Sequence, residues 1–192
     1  MSSDALRSTL ASSGALLEGH FRLSSGRHSD RFVQKFRLLE DPRLLEPFAR
    51  ELALRLSPYE PEIVVSAAVG GIILGYEVAR ALGSKAIFVE KESGAVVLRR
   101  NFVLRSGARA AIVEDVITTG GSVREVIEVV RSHDARPVVA GALVRRSPVD
   151  LGVPTVVLLE LPIESYEAAE CPQCRTGVPI SEPGSRFVSA AP

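Results

Sequence analysis

The sequence lacks the features that would assign it to several broad classes of protein. Its 192 residues contain 23 Lys and Arg against 23 Asp and Glu, and this balance argues against a globally basic nucleic-acid-binding protein. No apolar run approaches the length of a membrane span, and the N-terminal residues lack the long apolar segment of a signal peptide. We therefore expect a cytoplasmic protein that binds neither membranes nor nucleic acids.

Cysteine is scarce, and its placement excludes the disulfide framework of a small secreted domain. The two cysteines, Cys171 and Cys174, stand together in the string CPQC, which is half of a zinc site. His20, His28 and His133 lie far apart in the chain and lack the spacing of metal ligands. We interpret CPQC as a structural turn in the C-terminal tail. A zinc ion shared across a dimer and a reversible disulfide are the alternatives that stay open.

Apolar residues make up 46% of the chain, enough for one domain with a sizeable core. From residue 62, short runs rich in β-branched residues alternate with amphipathic segments, which predicts a parallel sheet covered by helices on both faces. The predicted strands are EIVVS, KAIFVEK, ARAAIVED, VVAGALVR and TVVLLEL. We expect a single α/β domain over residues 1–192, with an N-terminal cap (1–40), an α/β core (41–161) and a C-terminal tail (162–192).

Four segments carry the pattern of helices. The first spans Asp4 to Ser12, and the second begins at Asp41-Pro42, an acidic N-cap followed by proline at the first helical position. GGIILGYEVARALG and SVREVIEVVRSHD are the third and fourth, and GHFRLSS and RHSDRFVQKF predict two extended segments in the cap. Apolar residues share one face of the second and fourth helices: Leu45, Phe48, Ala49, Leu52 and Leu56, and then Val123, Val126, Ile127 and Val130.

Two predicted loops follow the carboxyl ends of strands, where such sheets bind ligands: SAAVGG after EIVVS, and VITTGGS after ARAAIVED. In the second loop, Thr118 to Ser122 supply hydroxyl groups, backbone N–H groups and two glycines at the start of a helix, which predicts a cradle for phosphate. Glu114 and Asp115 directly before it would repel phosphate alone, but they suit ribose hydroxyls or a nearby Mg²⁺. A sugar phosphate satisfies both halves of the motif.

The string VEDVITTGGS, residues 113–122, closely resembles the phosphoribosyl-pyrophosphate motif of type I phosphoribosyltransferases. That resemblance implies the family's central parallel sheet with flanking helices and an N-terminal cap. It implies that the acids bind the ribose hydroxyls and that the loop holds the 5′-phosphate. The implied binding residues are Glu114, Asp115, Val116, Ile117, Thr118, Thr119, Gly120, Gly121 and Ser122, and those of the pyrophosphate loop are Ala68, Val69, Gly70 and Gly71.

Further stretches resemble the orotate phosphoribosyltransferases in particular. They are GHFRLSSGRHSDRFVQKFRLLEDP, similar to that family's base-pocket segment, GALVRRSP, similar to its orotate-binding strand end, and ECPQCRTGVPISEPGSR, similar to the tail of one branch. The resemblance implies that Arg146, Thr118 and Phe32 bind orotate, and a planar guanidinium suits a carboxylate. Asp115 and Lys91 are the implied catalytic residues.

The reaction that the resemblance implies is transfer of a phosphoribosyl group from 5-phospho-α-D-ribose 1-diphosphate to orotate. The products are orotidine 5′-phosphate and pyrophosphate, in pyrimidine biosynthesis. An oxocarbenium-like transition state needs positioning and neutralisation of the leaving group, with Mg²⁺ held mainly by pyrophosphate and not by protein side chains alone. A homodimer is implied as well. A phosphoribosyltransferase for another base and a non-catalytic regulator that binds the same sugar phosphate are the alternatives.

The sequence also departs from the pattern of the orotate family in the parts that contact the base and pyrophosphate. Four positions differ from the residue type usual there: Ser24 and Gly70 replace lysines, Arg31 replaces an aromatic residue, and Arg145 replaces an acid. In the stretch that resembles the mobile loop, residues 90–107, we expect Lys91, Arg99 and Arg100 either to cover the pyrophosphate or to be charges of an exposed hairpin.

Overall fold

The structure, a computed structural model, describes residues 3–23 and 25–183. The helices of this part are α1 Ser3–Ser12, α2 Phe36–Leu39, α3 Pro42–Leu56, α4 Gly70–Leu82, α5 Gly121–Ser132 and α6 Pro172–Arg175. The strands are β1 Leu16–Arg22, β2 His28–Val33, β3 Ile63–Ala67, β4 Lys85–Glu92, β5 Ala95–Leu98, β6 Arg109–Ile117, β7 Arg136–Arg145 and β8 Thr155–Glu160. Ser24 and the end of the predicted tail lie outside the described residues.

A six-stranded sheet in the order β5-β4-β3-β6-β7-β8 forms the centre of the fold. All five runs predicted as strands are present and pair parallel with one another, which confirms the predicted α/β class. The edge strand β5 is an addition: it pairs antiparallel with β4 through a turn at Ser93 and Gly94, both with positive φ. Its apolar run is only AVVL, too short to stand out as a strand in the sequence.

Helices cover both faces of this sheet, and successive side chains along each strand point alternately to the two faces. On β3, Val64 packs in the cluster that α3 and α4 complete, whereas Ile63 and Val65 pack in the cluster that α5 completes. The predicted apolar faces of α3 and α5 are buried in full. Asp41 caps α3 as predicted, because its carboxylate accepts a hydrogen bond of 2.9 Å from the N–H of Arg43.

Strand β3 is the point at which the winding of the sheet reverses. The chain passes from β3 through α4 to β4 on one side, while β6 lies on the other side of β3. The loops that follow β3 and β6 therefore lie next to each other at the carboxyl edge, where a ligand can enter between them. No helix in the described part of the chain has both the length and the apolar character that crossing a membrane requires.

The cap and the tail form one unit beside the sheet. Strands β1 and β2 pair as an antiparallel hairpin, and the tail adds a bridge on each outer edge. On one edge Tyr166 and His28 exchange two backbone hydrogen bonds of 2.8 Å. On the other edge Ser181 donates to His20 and accepts from Arg22, at 2.8 and 2.9 Å. The tail therefore fixes the position of the cap.

The two faces of α3 make a direct test of this packing. Leu52 is fully buried against the sheet, whereas Leu54 on the opposite side of the same helix is 68% exposed. We expect Leu52→Ala to lower the free energy of unfolding by about 2–5 kcal/mol, because it leaves a cavity in the core. Leu54→Ala should change it by about 0.5 kcal/mol or less. Urea unfolding followed by circular dichroism measures both, and equal losses would contradict the assigned faces.

Candidate functional site

An ion pair joins the acidic end of β6 to the cap. Asp115 is 1% exposed, and the Nζ atom of Lys35 lies 2.9 Å from its Oδ1 and 2.7 Å from its Oδ2. Both carboxylate oxygens therefore lie in close contact with the ammonium, and Oδ1 accepts a hydrogen bond from it. The sequence interpretation missed Lys35. Its one signal is that it is one of three lysines among 23 basic residues and lies within the base-pocket segment.

Glu114 lies beside this ion pair, and its pKa is raised above the ordinary value of a glutamate. Burial, and next the negative charge of Asp115, raise the pKa of Glu114 to about 7. Its Oε1 accepts a hydrogen bond of 3.0 Å from the N–H of Asp115. Of the two acids, one is therefore neutralised by Lys35 and the other is close to half protonated at neutral pH.

The loop after β6 wraps around a small cavity of about 50 Å³, lined by Glu114 and residues 116–123. Gly120 turns the chain there with a φ of 78°, a conformation that favours glycine. A Cβ at Gly120 would lie 2.7 Å from Cδ2 of Leu151 and 3.0 Å from Cγ2 of Val149. Both the turn and the space around it therefore require glycine.

Side chains hold the carbonyl groups of this loop away from the cavity. The hydroxyl of Ser147 donates to the carbonyl of Thr118 at 2.9 Å, and Arg124 donates to that of Thr119 at 2.8 Å. The N–H groups of residues 119–122 have no acceptor among the described residues. Free N–H groups at the start of α5 are the arrangement that binds phosphate.

A larger cavity of about 260 Å³ opens beside the acids. It is lined by Leu23, Phe32, Val33, Lys35, Asp115, Val116, Thr118 and Arg146. The structure thus brings together Phe32, Thr118 and Arg146, the residues predicted to contact the base. Their contact with a base stays a prediction.

The two neighbouring arginines at the end of β7 have different partners. Arg145 forms an ion pair with Glu160 on β8, at 2.5 Å. Arg146 has no ion-pair partner among the described residues, and its Nε is buried without a hydrogen bond. Burial lowers the pKa of Arg146. Because a buried donor without a partner is costly, Arg146 is suited to a carboxylate ligand in the cavity.

The predicted pyrophosphate loop, Ala68 to Gly71, lies against the ion pair. The Ala68–Val69 peptide bond is cis. A Cβ at Gly70 would come within 2.1 Å of Oδ2 of Asp115 and 2.6 Å of Nζ of Lys35. Position 70 therefore has no room for the lysine that the resemblance leads one to expect, and the ammonium of Lys35 occupies that space.

The cations of the predicted mobile loop lie away from both cavities. Lys91 is 70% exposed, with its Nζ 3.8 Å from Glu125. Arg99 and Arg100 pair with acids of β4, at 2.8 and 2.7 Å. All three belong to the exposed β4–β5 hairpin or its end in this structure, and the catalytic role of Lys91 stays a prediction.

Comparison with known proteins identifies the family. A family model for the phosphoribosyl transferase domain matches residues 43–151. The orotate phosphoribosyltransferase of Thermotoga petrophila is 48% identical over 183 residues, which cover 94% of this chain and 98% of that protein. That of Heliobacterium modesticaldum is 49% identical over 190 residues, covering 97% of this chain and all of that protein. This chain belongs to the orotate phosphoribosyltransferase family.

A solved structure of this family agrees with the fold. The crystal structure of orotate phosphoribosyltransferase from Aeropyrum pernix superposes with a TM-score of 0.70 at 29% identity, covering 81% of this chain and 93% of that one. The resemblance inferred from VEDVITTGGS and GALVRRSP is confirmed, and so is the type I phosphoribosyltransferase fold.

The raised pKa of Glu114 makes stability depend on pH. The unfolded carboxyl ionises near pH 4.5 and the folded one near pH 7, so the folded state holds an extra proton between them and loses stability as the pH rises. Glu114→Gln keeps the side chain neutral. We expect it to match wild type near pH 4.5, and to be more stable by about 1–3 kcal/mol above pH 8.

Thermal and urea unfolding at both pH values measure this difference. Glu128→Gln is the control, because Glu128 is 69% exposed on α5. A gain for Glu114→Gln that is the same at both pH values would contradict the raised pKa.

Proposed function

We propose that this protein transfers the phosphoribosyl group from 5-phospho-α-D-ribose 1-diphosphate to orotate, and forms orotidine 5′-phosphate and pyrophosphate for pyrimidine biosynthesis. The observation that carries the proposal is the cavity of about 260 Å³ that Arg146 lines together with Asp115 and Thr118, at and just after the end of β6. In this cavity the guanidinium of Arg146 is available to the base, next to the loop that we propose for the sugar phosphate. The names of the relatives from Thermotoga petrophila and Heliobacterium modesticaldum support the same activity.

The sugar phosphate binds across the end of β6 in this proposal. Its 5′-phosphate accepts hydrogen bonds from the free N–H groups of residues 119–122 and from the hydroxyls of Thr118, Thr119 and Ser122. The ribose hydroxyls donate to Glu114 and Asp115, and Oδ2 of Asp115 has the capacity to accept. The ribose carbon C1 then faces the larger cavity, which positions it for attack by the base.

Lys35 supports the departure of pyrophosphate. The pyrophosphate loop, Ala68 to Gly71, provides backbone and little bulk, and the ammonium of Lys35 lies where a side chain of residue 70 would begin. We propose that Lys35 turns toward pyrophosphate when the ribose hydroxyls engage Asp115. Asp115 is the proposed catalytic residue of the core. Lys91 is the second, acting from the β4–β5 hairpin on the site of a partner subunit.

Mg²⁺ and a homodimer are further parts of the proposal. The acids fit an ion held mainly by pyrophosphate, because Asp115 is already paired with Lys35 and Glu114 is partly protonated at neutral pH. When bound, Mg²⁺ neutralises negative charge on the leaving group. An exposed apolar stripe of Val69, Ile73 and Tyr76 on α4 and its N-cap supports a subunit interface. We place the enzyme in the cytoplasm.

A screen of bases tests the proposed activity. Protein, Mg²⁺ and 5-phospho-α-D-ribose 1-diphosphate are mixed with orotate, uracil, adenine or hypoxanthine, and release of pyrophosphate is followed. We expect turnover with orotate, seen as loss of its ultraviolet absorbance, and none with the others. Turnover with another base alone would overturn the base assignment. Tight binding of the sugar phosphate without pyrophosphate release would favour a regulator.

The neighbouring arginines provide a matched pair of variants. Arg146→Ala removes the unpaired guanidinium from the cavity, and we expect kcat/KM for orotate to fall about 10- to 100-fold, the worth of a charge-assisted hydrogen bond. The KM for the sugar phosphate should stay within about twofold, since the phosphate loop is unchanged. Arg145→Ala breaks only the pair with Glu160 and should retain activity. Equal effects of the two variants would refute an orotate clamp at Arg146.

A further inference from the structure

Four potential metal ligands meet where the cap joins the tail, outside both cavities of the active site. His20 lies on β1 and His28 on β2, while Cys171 precedes α6 and Cys174 lies within it. One ligand atom from each lies within 4.8 Å of those from all the others. The sequence interpretation is wrong for His20 and His28, because the β1–β2 hairpin and the tail bring them to CPQC across about 150 residues, whereas His133 lies at the end of α5.

The spacing of these atoms fits a tetrahedral ion. The distance from Nε2 of His20 to Nδ1 of His28 is 3.0 Å. Sγ of Cys174 lies 3.2 Å from Nδ1 of His28 and 3.7 Å from Nε2 of His20, and Sγ of Cys171 lies 3.5 Å from Nε2 of His20. Zinc bound tetrahedrally by two nitrogens and two sulfurs places nitrogen atoms about 3.3 Å apart, and nitrogen and sulfur about 3.5 Å apart.

The surroundings orient the ligands as a metal site requires. Nδ1 of His20 donates to the carbonyl of Val178 at 2.8 Å, which leaves the lone pair of Nε2 directed at the cluster. His20, His28 and Cys171 are 4%, 7% and 1% exposed, Cys174 lies at the surface, and both cysteines are free thiols. Two thiolates balance the charge of a divalent ion, so the buried centre is neutral overall.

The backbone holds this geometry independently of any ion. His28 is fixed by its pair of hydrogen bonds with Tyr166, and His20 accepts from the N–H of Ser181. The side chain of Gln173, between the cysteines, donates to the carbonyl of Gly19 at 2.8 Å. Ligands placed in advance by the chain lower the entropic cost of binding.

We propose that His20, His28, Cys171 and Cys174 bind one structural zinc ion that fastens the tail to the cap. Four protein ligands leave no open coordination position, so the ion does no chemistry on substrate. Its effect on the reaction is indirect, because the fastened β1–β2 hairpin carries Phe32 and is followed by Lys35, and both residues line the larger cavity. The site stands on its own geometry and does not depend on the proposed transferase activity.

Metal content measured on untagged protein tests the proposal. We expect inductively coupled plasma mass spectrometry to find about one zinc ion per chain in wild type. In Cys174→Ser and His20→Gln we expect less than about a tenth of that content. His133→Gln is the matched control and should retain the full content, since the hydrogen bonds of the His133 side chain within the described structure are to Val129 and Ser132 of the same helix. Equal zinc in His20→Gln and His133→Gln would overturn the assignment of the ligands.

Cobalt substitution and stability give readouts that do not depend on how a variant folds. Wild-type protein stripped by a chelator should take up Co²⁺ with the visible absorption of a tetrahedral thiolate site, and Zn²⁺ should restore its melting temperature. Failure of stripped, reduced wild type to bind either ion would overturn the proposal. So would a Cys171–Cys174 disulfide in protein purified without reductant, found in place of metal. Orotate turnover is measured separately, so loss of zinc and loss of the proposed activity can be told apart.

Discussion

The ion pair between Lys35 and Asp115 is the contact on which the arrangement of the site depends. A carboxylate that is 1% exposed costs several kcal/mol unless a positive charge accompanies it, and Lys35 is the cation that the described structure provides. The partner comes from the cap, so the pair ties the cap to the carboxyl edge of the sheet. Gly70 completes the constraint, because any side chain there would push into the pair. Cap, acidic strand and pyrophosphate loop thus meet at one point.

The rest of the site follows from the placement of β3 and β6 side by side. The loop after β6 places backbone N–H groups without an acceptor at the start of α5, an arrangement that can bind an anion without a cationic side chain. Burial at the end of β6 raises the pKa of Glu114, so this carboxyl keeps its proton to a higher pH than an exposed one.

Much of this arrangement could be predicted from the sequence, and the limits have a physical cause. Residues 113–122 are consecutive in the chain, so their chemistry can be predicted without knowledge of the fold. The predicted strands of the sheet are apolar runs that the sequence also shows directly. Lys35 and the cluster of His20 and Cys171 are different, because each depends on contacts between segments 80 or more residues apart. The sequence does not predict strand β5, because its apolar run of four residues is too short to stand out. The position of Arg146 was foreseen only through resemblance, since nothing local distinguishes it from Arg145.

The bridging of the β1–β2 hairpin by Tyr166 and Ser181 has a consequence for the order of events during biosynthesis. A ribosome releases the hairpin first and its flanking partners last, so the growing chain holds β1 and β2 without their outer neighbours until nearly all of the protein has emerged. The strands of the central sheet are complete earlier, once residue 160 has emerged. The hairpin therefore gains its last neighbour, Ser181, only after the described strands of the central sheet have been made, so the cap is among the last parts of the fold to be completed.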